Sequence, residues 1–250
     1  MGRILDDLAK MVRPGMSTWD VDQAAEKMII AAGGRPAFKG YKSRPSDKPF
    51  PSTICASVNE ELVHGIAKKE AILKNGDIFT IDIGMEWPYK GEKSDEGYYT
   101  DTALTIPIGK IPAKTRELLR VTQESLERGI EVIKPGNTIA DIGKAIEDYI
   151  KSQGKYGIIR DLVGHGVGHA VHEEPRIPNF YDRNLDFIVL QPGMVVAIEP
   201  MVSLGGWKVT TASDGWTILT ADNSLSAHFE HTIIVTKSGN VVATRRPSEK

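Results

Sequence analysis

Leu73-Lys74-Asn75-Gly76-Asp77-Ile78-Phe79-Thr80-Ile81-Asp82 reads as a turn followed by a β-rich run that ends on a carboxylate. The pattern returns as Leu190-Gln191-Pro192-Gly193-Met194-Val195-Val196-Ala197-Ile198-Glu199. Alternate strand residues face opposite sides of a sheet. Asp82 therefore shares a face with Ile78 and Thr80, and Glu199 with Val195 and Ala197. An acid among apolar strand residues is costly to bury alone. One such acid would be read as a strand end reaching water or a buried ion pair; two in matching positions call for another explanation.

Working outward, the matches multiply. Thr100-Asp101-Thr102-Ala103-Leu104-Thr105-Ile106 resembles Phe229-Glu230-His231-Thr232-Ile233-Ile234-Val235. Val12-Arg13-Pro14-Gly15-Met16-Ser17 resembles Ile133-Lys134-Pro135-Gly136-Asn137-Thr138. Each of the latter ends on a Ser/Thr cap with Asp three residues on (Asp20, Asp141), opening a helix that a glycine closes (Gly33, Gly154). Self-similarity of this kind constrains architecture strongly. We expect one domain over residues 1–250, with an internal repeat of roughly 12–106 and 133–235. Each half runs helix, acidic strand, acidic strand, and a pseudo-two-fold axis would converge the four acids. Ile106 to Ala113 is too short for a linker and leads into a further helix pattern through Leu118, Leu119, Thr122, Leu126 and Ile130. Tyr41 to Pro51 and Glu86 to Gly97 read as solvated loops, the latter a long hairpin tip between the strands of Asp82 and Asp101.

The bulk composition narrows the class. Of 250 residues, 40% are hydrophobic, enough for a sizeable core. A formal net charge of −2 offers no field to recruit nucleic acid or acidic membranes. A single cysteine, Cys55, excludes an intrachain disulfide and fits a reducing compartment. No apolar run spans a membrane, and Met1 to Met16 lacks the apolar centre of a signal peptide. A cytoplasmic globular protein is expected.

Asp82, Asp101, Glu199 and Glu230 cannot all ionise in one site without counter-charge. No Lys or Arg lies close to them in sequence. Divalent cations are the simplest remedy, and two carry the matching charge. Oxygen ligands with an imidazole suit Mn, Fe, Co or Zn. Two carboxylate-bridged metals would activate a shared water. Among the six histidines, His165 sits in Gly164-His165-Gly166-Val167-Gly168, His172 precedes Glu173-Glu174-Pro175, and His64 lies in Val63-His64-Gly65. These three are the candidates. His169 and His228 are read as structural or exposed, and His231, beside Glu230, as turned away into the core or behind the site. A His-Glu-x-x-His zinc motif and a Gly-x-Ser-x-Gly elbow are both absent. Cys55, between Ile54 and Ala56, reads as a small buried residue rather than a nucleophile.

From Val12 to Thr244 the chain resembles the type I methionine aminopeptidases. The motifs that carry the likeness are Ala56-Ser57-Val58-Asn59-Glu60 to His64-Gly65-Ile66, Gly164 to Gly168 with His172 to Pro175, Ile198-Glu199-Pro200-Met201, Asp214-Gly215-Trp216-Thr217, and Ser224 to Thr232. The resemblance implies an α+β pita-bread fold: two pseudo-symmetric halves with a curved, mainly antiparallel β-sheet flanked by helices. It implies release of the N-terminal methionine from nascent proteins with a small second residue. Asp82 would hold one metal, Asp101 and Glu230 would bridge two, and His165 and Glu199 would complete the other. Glu199 would also shuttle a proton. His172 would polarise the scissile carbonyl, and His64 would bind the substrate amide. Tyr41, Cys55 and Trp216 would wall the methionine pocket. A monomer is implied, with the ribosome as a candidate partner. The chain departs from the family pattern at Ala67, Tyr99-Thr100, Ala170-Val171 and Phe38, and in the two longer loops. A prolidase or Xaa-Pro aminopeptidase, or a catalytically silent pita-bread protein that only binds peptides, are the rival readings; all five ligand positions are intact here.

Overall fold

Two of the four α-helices start where the sequence places a cap. A computed structural model describes residues 1–91 and 97–249. Its α-helices are α1 (Gly2–Met11), α2 (Thr18–Ala31), α3 (Ala113–Glu131) and α4 (Ile139–Gln153). Ahead of α2, the Ser17 hydroxyl accepts from the Asp20 amide, and the Asp20 carboxylate accepts from the Ser17 amide. Thr138 and Asp141 do the same ahead of α4. Each reciprocal pair satisfies backbone donors that a helix start otherwise leaves open. Gly33 (φ 77°) and Gly154 (φ 141°) follow the two helices in the backbone region that favours glycine.

All strand pairings among the described residues are antiparallel. One sheet joins Arg35–Pro36, Cys55–Val58, Ile78–Trp87 and Tyr98–Pro107. A five-stranded sheet joins Gly164–Gly166, Glu173–Ile177, Val195–Ile198, His231–Val235 and Asn240–Val242. Two three-stranded sheets complete the framework. One pairs Gly157–Ile158, Met201–Ser203 and Ser226–His228; the other pairs Glu61–Val63, Val209–Thr211 and Ile218–Thr220.

Four expectations change. The strand of Asp82 does not end there but runs on to Trp87, because its ladder with Tyr98–Pro107 stays in register from Ile78↔Pro107 to Trp87↔Tyr98. Glu199 and Glu230 are not within strands. Glu199-Pro200 and Phe229-Glu230 are the joints at which the chain passes from one sheet to another. Glu86 is not solvated but buried, held by Arg35 at 2.6 Å and by the Tyr99 hydroxyl at 3.2 Å. Residues 92–96 of the expected hairpin tip lie outside the described residues. The segment from Tyr41 to Pro51 holds no regular element, as expected, but its Phe50 is buried against Trp216.

The two larger sheets each turn one face to helices and the other to the site. Phe79, Ile81 and Ile83 pack with Leu5 and Leu8 of α1 and Val21, Ala25 and Ile29 of α2. Val196, Ile198 and Ile233 pack with Leu118 and Leu126 of α3 and Ile142 and Ile146 of α4. Each such side chain contributes roughly 1.5–3 kcal/mol on burial. The two-residue period then fixes the other face: with Ile81 and Ile83 on the helices, Asp82 points away from them, while Glu199, just past the end of its strand, lines the cavity. Thr138→Ala removes one cap and is expected to lower stability by about 1 kcal/mol, read from the urea midpoint at unchanged slope.

Candidate active site

Asp82 and Asp101 are brought together by register. Asp82 lies opposite Ala103, and Asp101 opposite Gly84. Cross-strand partners share a face, as do residues two apart, so both carboxylates project from the same side as diagonal neighbours. Cys55, opposite Asp82 on the next strand, joins them. At Gly84 an added Cβ would meet the Phe38 ring at 2.6 Å, so glycine there admits Phe38 onto this face. His165 lies opposite Ala197, which makes it the diagonal neighbour of Glu199. The His165 Nδ1–H donates to the Gly166 carbonyl at 2.9 Å, leaving Nε2 facing Glu199 Oε1 at 3.6 Å. Ring orientation set by a backbone acceptor is what a ligating imidazole requires.

The two acidic pairs meet along a seam. Ala103 and Glu230 exchange backbone bonds (3.0 and 3.4 Å). The Thr232 hydroxyl accepts from the Asp101 amide at 2.9 Å and donates to its carbonyl at 2.8 Å. Thr102 donates to the Glu230 carbonyl at 2.7 Å, and Thr105 bonds both the carbonyl and the amide of His228 at 2.9 Å. Asp101, His165 and Glu230 thereby offer ligand atoms within 4.8 Å of one another.

Above this floor lies a cavity of about 550 Å³. All five expected metal-site residues line it, as do His64, His172, Tyr41, Cys55 and Trp216. His172 stands exposed at the mouth, its Nδ1 3.0 Å from the Tyr41 hydroxyl and its ring 4.5 Å from that of His165. His64 has a positive φ of 58°, unusual for a side-chain-bearing residue. Its ring meets Trp216 edge-on at 6.4 Å. Phe38, Phe50, Cys55 and Val171 form a separate apolar cluster with Tyr41, Ile66, Tyr99 and Trp216 against it. The Asp214 carboxylate accepts from the Trp216 and Thr217 amides, which sets the Trp216 turn.

Electrostatics on this floor are severe. Burial, then the charges of Asp101 and Glu199, holds Asp82 well above the usual carboxylate range. Burial raises Asp101, and burial with Asp101, Glu199 and Asp82 raises Glu230 well above its ordinary value. Glu199 is pushed up to about 8, chiefly by burial. Oδ1 of Asp82 and Oδ1 of Asp101 are buried without hydrogen-bond partners. Buried orphan carboxylate oxygens beside a free imidazole nitrogen fit divalent cations.

Sequence alone misplaces His228, read as structural or exposed, and passes over Arg246. His228 is fully buried, lines the cavity and stands 3.5 Å from Glu199 Oε2; its one signal was its position two before Glu230. Arg246, 1% exposed, reaches the Ala103 carbonyl at 3.3 Å and offsets the raised pKa of Glu230. Nothing local in sequence announces it. His231 and His169 lie outside the cavity. His231 is buried against Thr244 and Glu249, and His169 is exposed beside Tyr98. Glu127, His231 and Glu249 also converge, but Arg245 and Arg246 pair with the two glutamates, so this is an ion-pair cluster.

The profile of metallopeptidase family M24 matches residues 1–237. Methionine aminopeptidase 1 of Bacillus subtilis is 44% identical over 248 residues, covering 98% of this chain and 93% of its own. A methionine aminopeptidase of Borreliella burgdorferi is 47% identical over 229 residues, covering 92% of this chain and 85% of its own. The crystal structure of a methionine aminopeptidase from Thermotoga maritima superposes with a TM-score of 0.88 at 41% identity, covering 97% of this chain and 91% of that one.

A raised carboxyl pKa means the folded state holds a proton that the unfolded chain has released. Metal-free protein should therefore lose stability as pH rises, for Glu199 between its ordinary 4.5 and about 8. Divalent metal should reverse the trend. Melting curves with and without Mn(II), at about pH 6 and about pH 8, check this: the metal-induced rise is expected to be larger at the higher pH.

Proposed function

We propose that this chain, which belongs to metallopeptidase family M24, removes the N-terminal methionine from polypeptides whose second residue is small. The observation that carries the reading is one cavity with two ends: a floor of four carboxylates, three buried and Glu199 nearly so, with His165, and an apolar wall of Tyr41, Cys55, Phe50 and Trp216. A thioether side chain suits that wall, because it is apolar, flexible and favours aromatic neighbours.

M24 enzymes are metallopeptidases. In this chain Asp82 would hold one ion, Asp101 and Glu230 would lie between two, and His165 and Glu199 would hold the second. Two ions, from among Co, Mn, Fe and Zn, would supply Lewis acidity at the scissile carbonyl and lower the pKa of water. The side chains do the rest. Glu199 takes a proton from the attacking water and returns it to the leaving nitrogen. His172 donates to the carbonyl oxygen as negative charge develops there. The Tyr41 hydroxyl donates to His172 Nδ1, which leaves the proton on Nε2 for that task. His64, kept neutral by burial, then by His228, with a pKa of about 4, hydrogen-bonds the substrate amide. The free α-amine belongs at the Asp82 end, which makes the enzyme an exopeptidase. Nascent chains are the proposed substrates, met in the cytoplasm by a monomer, with the ribosome as the place of encounter.

Chelated protein should release free methionine from Met-Gly-Met-Met only after Mn(II) or Co(II) is restored. Cleavage confined to bonds before proline, or no cleavage at any metal loading, would sink the reading. Glu199→Gln is expected to keep the fold and lose about 10³-fold or more in kcat. His172→Ala is expected to lower kcat by about 10²–10³-fold while metal content stays unchanged; loss of metal would make His172 a ligand instead.

A further inference from the structure

His228 is an imidazole 1% exposed, and neither of its ring nitrogens has a hydrogen-bond partner within the protein. Buried polar groups are nearly always paired, so an orphan imaging the wall of a charged cavity marks an interaction completed in the working site. Its placement is not loose. The His228 amide donates to the Thr105 hydroxyl, which in turn donates to the His228 carbonyl, both at 2.9 Å. Its Nε2 lies 3.5 Å from Glu199 Oε2, while His165 Nε2 lies 3.6 Å from Glu199 Oε1. One carboxylate is thus bracketed by two imidazoles, one on each oxygen. They differ in their second nitrogen. His165 spends Nδ1–H on the Gly166 carbonyl, which frees its Nε2 lone pair for a cation. No acceptor holds His228 in that tautomer. The charged and titratable groups around His228 are Glu199, Asp101 and His64.

We propose that His228 is a positioning residue for Glu199: its Nε2–H donates to Oε2 and so aims Oε1 at the His165 side of the floor. An approach of roughly half an ångström brings the pair into the ordinary N–H···O range. The inference rests on the reading of Glu199 as both ligand and proton carrier. A hydrogen bond of this kind fixes which oxygen binds and which is left to handle the proton. His228 itself touches neither substrate nor metal.

The test uses the metal-loaded protein. His228→Leu removes the donor at similar volume and is expected to lower kcat about 10–100-fold with little change in KM. It should also shift the visible spectrum of the Co(II) form without changing the number of ions bound. His228→Gln, which keeps a donor, should restore most of the rate and the spectrum. Unchanged kcat and spectrum in His228→Leu would overturn the proposal, as would loss of an ion from both variants, which would make His228 a ligand. Should His228→Leu fail to fold, the wild-type protein decides: a ¹⁵N-histidine spectrum of the Zn(II) form, assigned with His228→Gln, should show His228 neutral with its proton on Nε2. An unprotonated Nε2 overturns it. A wild-type enzyme that releases no methionine would count against the functional reading alone, since the ¹⁵N spectrum still reports on His228.

Discussion

The outward edge of the Tyr98–Pro107 strand has to find backbone partners, and the way it does so builds the site. Its inner edge pairs with Ile78–Trp87. In an antiparallel ladder alternate residues turn their amide and carbonyl outward, and here those are Asp101 and Ala103. An unpaired edge buried between two sheets costs roughly 1–3 kcal/mol for each orphaned group. Thr232 answers Asp101, and Glu230 answers Ala103. Two of the residues whose backbones stitch the sheets together, Asp101 and Glu230, therefore also turn their carboxyls into the cavity. Acidic pairs from separate sheets are held at close range by bonds that do not involve the carboxyls at all, so the floor can carry strain in charge without losing its shape.

That arrangement explains which features were legible in sequence. Caps, helix starts and the faces of strands are local: Ser17, Asp20, Thr138 and Asp141 act within one turn, and the period of two places Asp82 opposite Ile81 without any tertiary knowledge. Strand ends are not local. Asp82 looked terminal because a charge follows an apolar run, but the hairpin ladder carries the strand five residues further. Glu199 and Glu230 looked like strand residues because apolar runs adjoin them, but they occupy joints between sheets. Phe50 looked solvated because its neighbours are Lys, Pro and Ser, yet a distant Trp216 covers it. His228 and Arg246 were hidden for the same reason. Their roles depend on what lies across the seam, and a single sequence carries no register between segments so far apart.

The site also shows how the chain separates holding from reacting. Groups that must not move are tied through the backbone: the carbonyl of Gly166 orients His165, and the amides of Trp216 and Thr217 grip Asp214. Other groups are left open: Oδ1 of Asp82 and Asp101, and both nitrogens of His228, have no partner. Each open group weakens the metal-free fold. The two helix-backed cores, which lie on the opposite faces of the same strands, are where that loss is offset.

Arg246 adds a last constraint on how such a floor can be built. A cation among the four carboxylates would neutralise them but would occupy the place of a divalent ion. A cation far away would be screened. The chain takes a middle course: Arg246 enters from behind, out of the cavity, and meets the strand at the Ala103 carbonyl, the same oxygen that accepts the Glu230 amide. Glu249 pairs with it and limits its net field. Glu230 is left with its pKa raised by burial and its neighbours, but less than those alone would dictate. A partial counter-charge of this sort eases the folding of the metal-free floor while leaving its ligands unspent, and it ties the ionisation of the acidic cluster to a segment at the end of the chain.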